Sequence, residues 1–276
     1  MVDLNLLNKW WKGKEYIEQD KHILDFKEKK YQWIPEILKE LDLKPDNIFN
    51  LLGPRQVGKT TLIKLFIKEL LKKVDEKSIF FWNCDELVDF RELSLLLKEY
   101  LAFAKSYGIK AKFIFLDEIS RVKDWQRAIK FLADAGELKD CCIFLTGSHT
   151  LDLKYGIDRL PGRTGRFGKE IILLPLSFSE FVSLAAPEIS GKLKKIKKFS
   201  SAEIHKSIAS AKLYDAELKM MFEKYLITGG FPLAINEFLT NKKIPDFVIE
   251  IYYKWVVGDV VKWGKQENIL IKLFKS

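Results

Sequence analysis

Short apolar runs alternate with longer helical patterns through the first two thirds of the chain. Four of these runs are Ser78–Trp82, Lys112–Leu116, Cys141–Thr146 and Glu170–Leu174, and another precedes Gly53. The stretches between them repeat apolar residues every three to four positions, which is the period of an amphipathic helix. Nearly continuous apolar strands that alternate with helices predict a parallel sheet covered on both faces. We therefore predict an α/β fold with a five-stranded parallel sheet.

The alternation ends near residue 175, after which the pattern is helical. This change predicts three parts: an N-terminal extension (1–45), an α/β core (46–175) and a helical part (176–276) that includes the start of a following C-terminal region. The last helical stretch, Pro245–Ser276, contains two glycines. Because glycine weakens helices, we predict breaks at both of them, Gly258 and Gly264.

The most specific pattern in the chain is Gly-Pro-Arg-Gln-Val-Gly-Lys-Thr at residues 53–60. It fits G-x-x-x-x-G-K-[ST], a loop between a strand and a helix whose backbone N–H groups surround phosphates. Lys59 is the predicted contact of the β- and γ-phosphates, and Thr60 is the predicted Mg²⁺ ligand. The alternative, a glycine turn with a coincidental lysine, is disfavoured by the flanking strand and helix patterns. The residues predicted to bind the nucleotide here are Gly53, Pro54, Arg55, Gln56, Val57, Gly58, Lys59, Thr60 and Thr61.

Two acids, Asp117 and Glu118, directly follow the apolar run that ends at Leu116. The carboxyl end of a buried parallel strand faces the ligand crevice of an open α/β sheet. Asp117 is therefore a predicted Mg²⁺ ligand, and Glu118 is predicted to orient or deprotonate the attacking water. The alternative is a strand that only exits into a polar turn. The paired acids favour hydrolysis over phosphoryl transfer to a small acceptor.

Polar residues also follow the next apolar strand, in the sequence Leu-Thr-Gly-Ser at residues 145–148. A hydroxyl at this point would lie beside the γ-phosphate and the attacking water. Ser148 is the predicted residue, with Thr146 as the second choice. The alternative is a glycine turn with incidental hydroxyls.

Arg163 and Arg166 lie on a glycine-bearing loop just before the last predicted strand. An arginine can bind a phosphate through two parallel hydrogen bonds. If these side chains reach a neighbouring subunit's site, they act as arginine fingers and the protein must form a homo-oligomer. The alternative is that both are solvated surface residues.

The net charge of +9 and the pI near 9.2 are compatible with an anionic partner, either the nucleotide or nucleic acid. A dense lysine run could contact a phosphate backbone without sequence preference, although a solvated linker is the favoured interpretation. The run consists of Lys192, Lys194, Lys195, Lys197 and Lys198.

Other sequence features predict a cytoplasmic protein with no membrane partner. The apolar runs are far shorter than a membrane span, and the N-terminus lacks the basic and apolar segments of a secretory signal. The three cysteines have no metal-ligand spacing and are consistent with a reducing compartment.

The motifs together resemble the AAA+ superfamily of P-loop ATPases. Within it they are similar to an archaeal and bacterial ATPase family of poorly known function. The matching segments are GPRQVGKT (53–60), DEI.RV..W (117–125), LTGS (145–148), PLSF.EF (175–181) and GGFP (229–232). The resemblance implies ATP or ADP with Mg²⁺ as ligands, and it implies that the chain lacks the family's usual C-terminal domain.

The resemblance also implies roles for particular residues. Pro232 would pack on the adenine from a helical lid, although a proline that starts a helix after a glycine turn is an equal alternative. The implied function is Mg²⁺-dependent ATP hydrolysis coupled to lid or subunit movement. The alternatives are a slow nucleotide-gated switch or scaffold that acts through a protein partner, and a DNA-stimulated ATPase. The predicted catalytic residues are Lys59, Glu118, Ser148, Arg163 and Arg166.

Overall fold

A computed structural model describes most of the chain. The described residues are 3–37, 43–147, 170–194, 196 and 199–262. They form two compact units, each with its own core. The first comprises the described residues through Lys29 and from Ile34 to Leu174, and the second comprises Lys30–Trp33 and the described residues from Pro175 onward. The functional division into extension, core and lid stays a prediction.

Five parallel strands form the sheet of the first unit. They are β1 (Asn47–Leu52), β2 (Ile79–Asn83), β3 (Lys112–Asp117), β4 (Cys141–Thr146) and β5 (Glu170–Ile172). Their order is β2-β3-β4-β1-β5, and each neighbouring pair is parallel. Every residue of β1 and β4 is buried, as expected of strands covered on both faces. The predicted α/β fold with a five-stranded parallel sheet is confirmed.

Four α-helices accompany this sheet among the described residues. They are α1 (Lys21–Glu28), α2 (Lys59–Leu70), α3 (Phe90–Ser106) and α4 (Trp125–Asp134). Helices α2, α3 and α4 each bury several apolar residues, as the sequence period predicts, whereas α1 buries only Ile23. The start of α3 is fixed by Asp89, whose carboxylate accepts hydrogen bonds from the N–H groups of Arg91 and Glu92.

Residues 3–28, the N-terminal segment, cover the outer edge of strand β2. The side chain of Asn8 accepts a hydrogen bond from Phe81 N–H (2.7 Å) and donates one to Phe81 C=O (3.1 Å). The indoles of Trp10 and Trp11 both donate to Ile79 C=O, at 3.2 and 2.8 Å. Side chains thus satisfy backbone groups that an edge strand would otherwise leave unpaired.

The second unit is helical. Its helices are α5 (Phe178–Ala185), α6 (Pro187–Ser190), α7 (Ser201–Lys212), α8 (Asp215–Thr228), α9 (Pro232–Asn241) and α10 (Asp246–Lys262). Leu176, Phe181 and Ile235 contribute to its buried core. The predicted break at Gly258 is wrong, because α10 continues through this glycine. The predicted break at Gly264 lies outside the described residues. The cost of one glycine in a helix is only about 1 kcal/mol, which the other residues of α10 offset.

Lys30–Trp33 packs with the second unit through polar contacts. The amide of Asn236 accepts a hydrogen bond from Tyr31 N–H (3.0 Å) and donates one to Tyr31 C=O (2.7 Å). The indole of Trp33 donates to Glu180 Oε1 at 3.2 Å. This short segment is therefore held by side chains that lie far from it in sequence.

The three cysteines, Cys84, Cys141 and Cys142, are buried and form no disulfide. Within the described ranges, no helix combines the length and apolar character that a membrane crossing requires.

Candidate functional site

The loop at residues 53–60 connects β1 to α2, as its pattern predicts. Gln56 and Gly58 have positive φ angles of 61° and 97°, so the loop makes tight turns before the helix begins. A side chain at Gly53 would come within 2.3 Å of the Leu173 carbonyl oxygen. Position 53 therefore requires glycine, because the backbone of Leu173, the residue after β5, lies too close for a side chain. At Gly58 a Cβ would meet no atom within 4 Å, which leaves open space beside the start of α2.

Lys59 folds back over this loop. Its ammonium donates to the carbonyl oxygens of Gly53 and Pro54, both at 2.9 Å. The side chain is buried, and burial lowers the pKa of Lys59, while Glu118 and Asp117 raise it. A buried cation whose partners are neutral carbonyls can exchange them for the charged oxygens of a phosphate.

Asp117, at the end of β3, lies between two hydroxyl groups. Thr60 Oγ1 donates to Asp117 Oδ2 at 2.6 Å, and Thr146 Oγ1 donates to Oδ1 of the same carboxylate. Burial raises the pKa of Asp117, and the two hydrogen bonds from Thr146 and Thr60 lower it. The carboxylate is therefore fixed in orientation by groups from α2 and β4.

Glu118 follows Asp117 in an unusual backbone conformation, with a φ of 53°. Its N–H donates to Thr146 Oγ1 at 3.4 Å. Non-glycine residues at positive φ are uncommon, and they occur in turns and at functional sites. Thr146 therefore contacts both acids. The sequence analysis named Thr146 only as the second choice, after Ser148, for a hydroxyl beside the γ-phosphate, and it did not predict these contacts.

The oxygens around Asp117 fit a magnesium ion. Mg²⁺ prefers oxygen ligands and is usually bound by one or two carboxylates together with substrate phosphates. The Thr60 hydroxyl uses its single proton toward Asp117, so its oxygen lone pairs can face a cation. Among the described residues, no cluster of three or more His, Cys, Asp or Glu could hold a metal alone. A magnesium ion at this position would have the Thr60 hydroxyl and the Asp117 carboxylate as its protein ligands.

The start of α2 fits a phosphate. Leu62 N–H is the first to bond within the helix, to Gly58 C=O. The N–H groups of Lys59, Thr60 and Thr61 therefore have no acceptor within α2. Such a helix start, together with the helix dipole, favours anions.

The structure brings together the loop residues 53–61, Asp117 and Glu118 in the first unit. Pro232 is the first residue of α9 in the second unit. Its predicted contact with the adenine stays a prediction. Ser148, Arg163 and Arg166 lie outside the described residues, as do Lys195, Lys197 and Lys198.

Sequence reasoning missed a polar contact that α2 makes one helical turn after Thr60. Lys64, four residues after Thr60, is almost fully buried and pairs with Asp20 (3.0 Å). The available signal was a lysine on the face of a helix that otherwise buries apolar residues. Its partner could not be found from sequence because Asp20 lies 44 positions away (64 − 20).

Comparison with known proteins supports this interpretation of the loop and sheet. A family model described as an AAA domain matches residues 45–182, half of the chain. Uncharacterized protein MJ1544 of Methanocaldococcus jannaschii is 28% identical over 248 residues, which cover 86% of this chain and 49% of that protein. Uncharacterized protein MJ1637 of the same organism is 27% identical over 256 residues, covering 90% and 50%. The chain thus spans about half the length of these curated relatives.

Solved structures show weaker likeness. Cdc6p from Pyrobaculum aerophilum is 15% identical with a TM-score of 0.40, covering 54% of this chain and 45% of that one. The ORC2 protein of Aeropyrum pernix is 13% identical with a TM-score of 0.40, covering 65% and 59%. Because both TM-scores are low, we base the fold on the sheet order and the family match. That match, with the loop at 53–60 between β1 and α2, shows that this chain belongs to the AAA+ family of P-loop ATPases.

Proposed function

We propose that the protein binds ATP with Mg²⁺ and hydrolyses it. The observation that supports this most strongly is the hydrogen bond between Thr60 and Asp117, beside Lys59 at the start of α2. It joins the phosphate-binding loop to the acid at the end of a neighbouring strand. Membership of the AAA+ family suggests nucleotide binding and hydrolysis in general terms.

In this proposal Lys59 leaves the carbonyls of Gly53 and Pro54 to bind phosphate oxygens, while the N–H groups at the start of α2 bind others. Thr60 and Asp117 would hold Mg²⁺, which when bound neutralises charge on the phosphates. Thr146 keeps the Asp117 carboxylate in place. Glu118 accepts the proton of the attacking water.

Several residues enter the proposal from the sequence alone. Ser148 would contact the γ-phosphate, and Arg163 or Arg166 would complete the site of a neighbouring subunit. Pro232 would pack on the adenine. Movement of the lid or of subunits would then follow the nucleotide state.

The test compares wild type with Glu118→Gln in nucleotide binding and phosphate release. We expect Glu118→Gln to keep ATP affinity within about threefold and to lower phosphate release by 100-fold or more, on the order of what a general base contributes. Glu69→Gln, an exposed change on α2, should alter neither quantity. Equal phosphate release by Glu118→Gln and wild type would contradict the assigned role.

Two further outcomes separate the alternatives. Tight ATP binding without measurable phosphate release in wild type would favour the slow switch. Faster phosphate release on adding duplex DNA at low salt would favour the DNA-stimulated ATPase, since such contacts weaken as salt rises.

A further inference from the structure

Three polar side chains lie along one face of α2 at four-residue intervals, and each contacts an acid. The contacts are Thr60 Oγ1 to Asp117 Oδ2 (2.6 Å), Lys64 Nζ to Asp20 Oδ2 (3.0 Å) and Lys68 Nζ to Glu18 Oε1 (2.7 Å). We refer to these contacts as the α2 ladder. Side chains four residues apart in a helix lie above one another on the same face. One end of the ladder is the proposed Mg²⁺ site, and the other two acids come from the N-terminal segment.

The middle contact lies in a closed environment. The side chain of Lys64 is 3% exposed, and its ammonium lies 3.4 Å from the Phe81 ring centroid and 5.0 Å from that of Trp10. Burial lowers the pKa of Lys64, and the Asp20 carboxylate opposes this shift. Replacing a buried ion pair with apolar groups of similar volume is often neutral or stabilising. The stability of the fold alone therefore does not explain a lysine at position 64, whereas a need to fix the orientation of α2 does.

The acids of the ladder are themselves anchored. Asp20 Oδ1 accepts the N–H of His22 (2.9 Å), so the carboxylate that pairs with Lys64 also begins helix α1. The same N-terminal segment is bound to β2 through Asn8. Asp20 and Asp117 are thus both held on the same sheet, on which α2 packs. The apolar face of α2 packs on the sheet, and two polar contacts one helical turn apart further limit both the rotation of α2 about its axis and its tilt.

We propose that Asp20 and Glu18 are positioning residues, which set the rotation of α2 through Lys64 and Lys68 and so hold Thr60 against Asp117. The AAA family match begins at residue 45, so this support comes from a segment that precedes it. The inference rests on the proposed function, because it concerns Mg²⁺-dependent nucleotide binding at that site.

The decisive variant is the double change Lys64→Met with Asp20→Asn. Asparagine starts a helix as well as aspartate does, and methionine keeps an unbranched apolar side chain. Since neither charge is left unpaired, the variant should fold with a Tm near that of wild type. Binding of a non-hydrolysable ATP analogue is then measured by calorimetry in EDTA and in Mg²⁺.

We expect affinity in EDTA to stay within about twofold of wild type. The gain in affinity on adding Mg²⁺ should fall by on the order of tenfold, within the range that a displacement of about 1 Å can cause. Glu69→Gln is the matched control, because it removes an exposed ion pair with Lys72 at the C-terminal end of α2. It should leave both affinities unchanged.

An undiminished Mg²⁺ gain in the folded double variant would overturn the inference. So would equal losses in EDTA and in Mg²⁺, which would indicate general damage to the loop. If the double variant does not fold, Glu18→Gln tests the same ladder at its partly exposed end, where about a twofold loss of the Mg²⁺ gain is expected and no loss would overturn it. Failure of the proposed function itself would appear in wild type, as no binding under either condition.

Discussion

Asp117 is a buried acid whose two oxygens accept hydrogen bonds from Thr60 and Thr146. Burial raises its pKa above the ordinary value of an aspartate, although both hydrogen bonds lower it. With a raised pKa, the folded state favours the neutral acid. Its contribution to stability is therefore complete below the unfolded pKa and is lost as the pH rises through the folded pKa. Toward neutral pH, the ionised Asp117 makes the protein without Mg²⁺ less stable.

Asp117→Asn should therefore stabilise the protein in the absence of Mg²⁺. We expect a gain in the free energy of unfolding at pH 7, where the wild-type carboxylate is ionised, and a correspondingly higher Tm. The same variant should lose the Mg²⁺-dependent gain in nucleotide affinity. Thermal unfolding in EDTA measures the first effect and calorimetry the second. A lower Tm for Asp117→Asn than for wild type would contradict the destabilising effect assigned to the ionised Asp117.

At the scale of elements, the edge of β2 is protected by side chains. Asn8 replaces the partner strand at Phe81, and two indoles share the Ile79 carbonyl. An amide side chain carries one acceptor and two donor hydrogens, so it can match both groups of one backbone residue. The N-terminal segment is therefore part of the first unit's packing.

Asn8→Leu should weaken this edge. Leucine has a similar size, but it leaves Phe81 N–H and C=O buried without their partner, at a cost of about 1–3 kcal/mol for each group. We expect a loss of about 2–4 kcal/mol in the free energy of unfolding, measured with urea. Asn5→Ala changes an exposed asparagine in the same segment and should cost less than about 0.5 kcal/mol. Equal midpoints for the two variants would show that the edge contacts do not contribute.

At the scale of the whole molecule, the two units are not continuous segments of the sequence. Lys30–Trp33 packs with the second unit, while the residues before and after it pack with the first. Asn236, which is almost fully buried, holds both backbone groups of Tyr31. The second unit therefore includes residues from near the N-terminus as well as those after Pro175.

Asn236→Leu should loosen the second unit selectively. Loss of two hydrogen bonds to Tyr31 leaves backbone groups unsatisfied, so amide exchange should accelerate in α9 and in Lys30–Trp33. Exchange in β3 and β4 should stay at the wild-type rate, because these strands belong to the first unit. Hydrogen–deuterium exchange with mass spectrometry measures both regions. Asn241→Ala, an exposed change at the end of α9, is the control, and uniform acceleration across both units would refute the prediction.

The pattern of apolar residues was sufficient for much of the fold. Strand β4 begins and ends where the run Cys141–Thr146 predicted, since a strand buried on both faces must be apolar throughout. The break at Gly258 was wrongly predicted, because one glycine costs less than the rest of a long helix contributes. Local sequence patterns therefore predict the positions of helices and strands better than they predict breaks within a helix.

The sequence by itself predicted the loop at 53–60, the acids at 117 and 118 and the five strands, because each is recognised from residues that are close together in the chain. Only the tertiary structure decided which groups hold those residues in place. Thr146 meets Asp117, Lys64 meets Asp20 and Asn8 meets Phe81 across separations that no local period encodes. These polar contacts form only once the sheet has brought distant segments together, since burial makes an unpaired polar group costly.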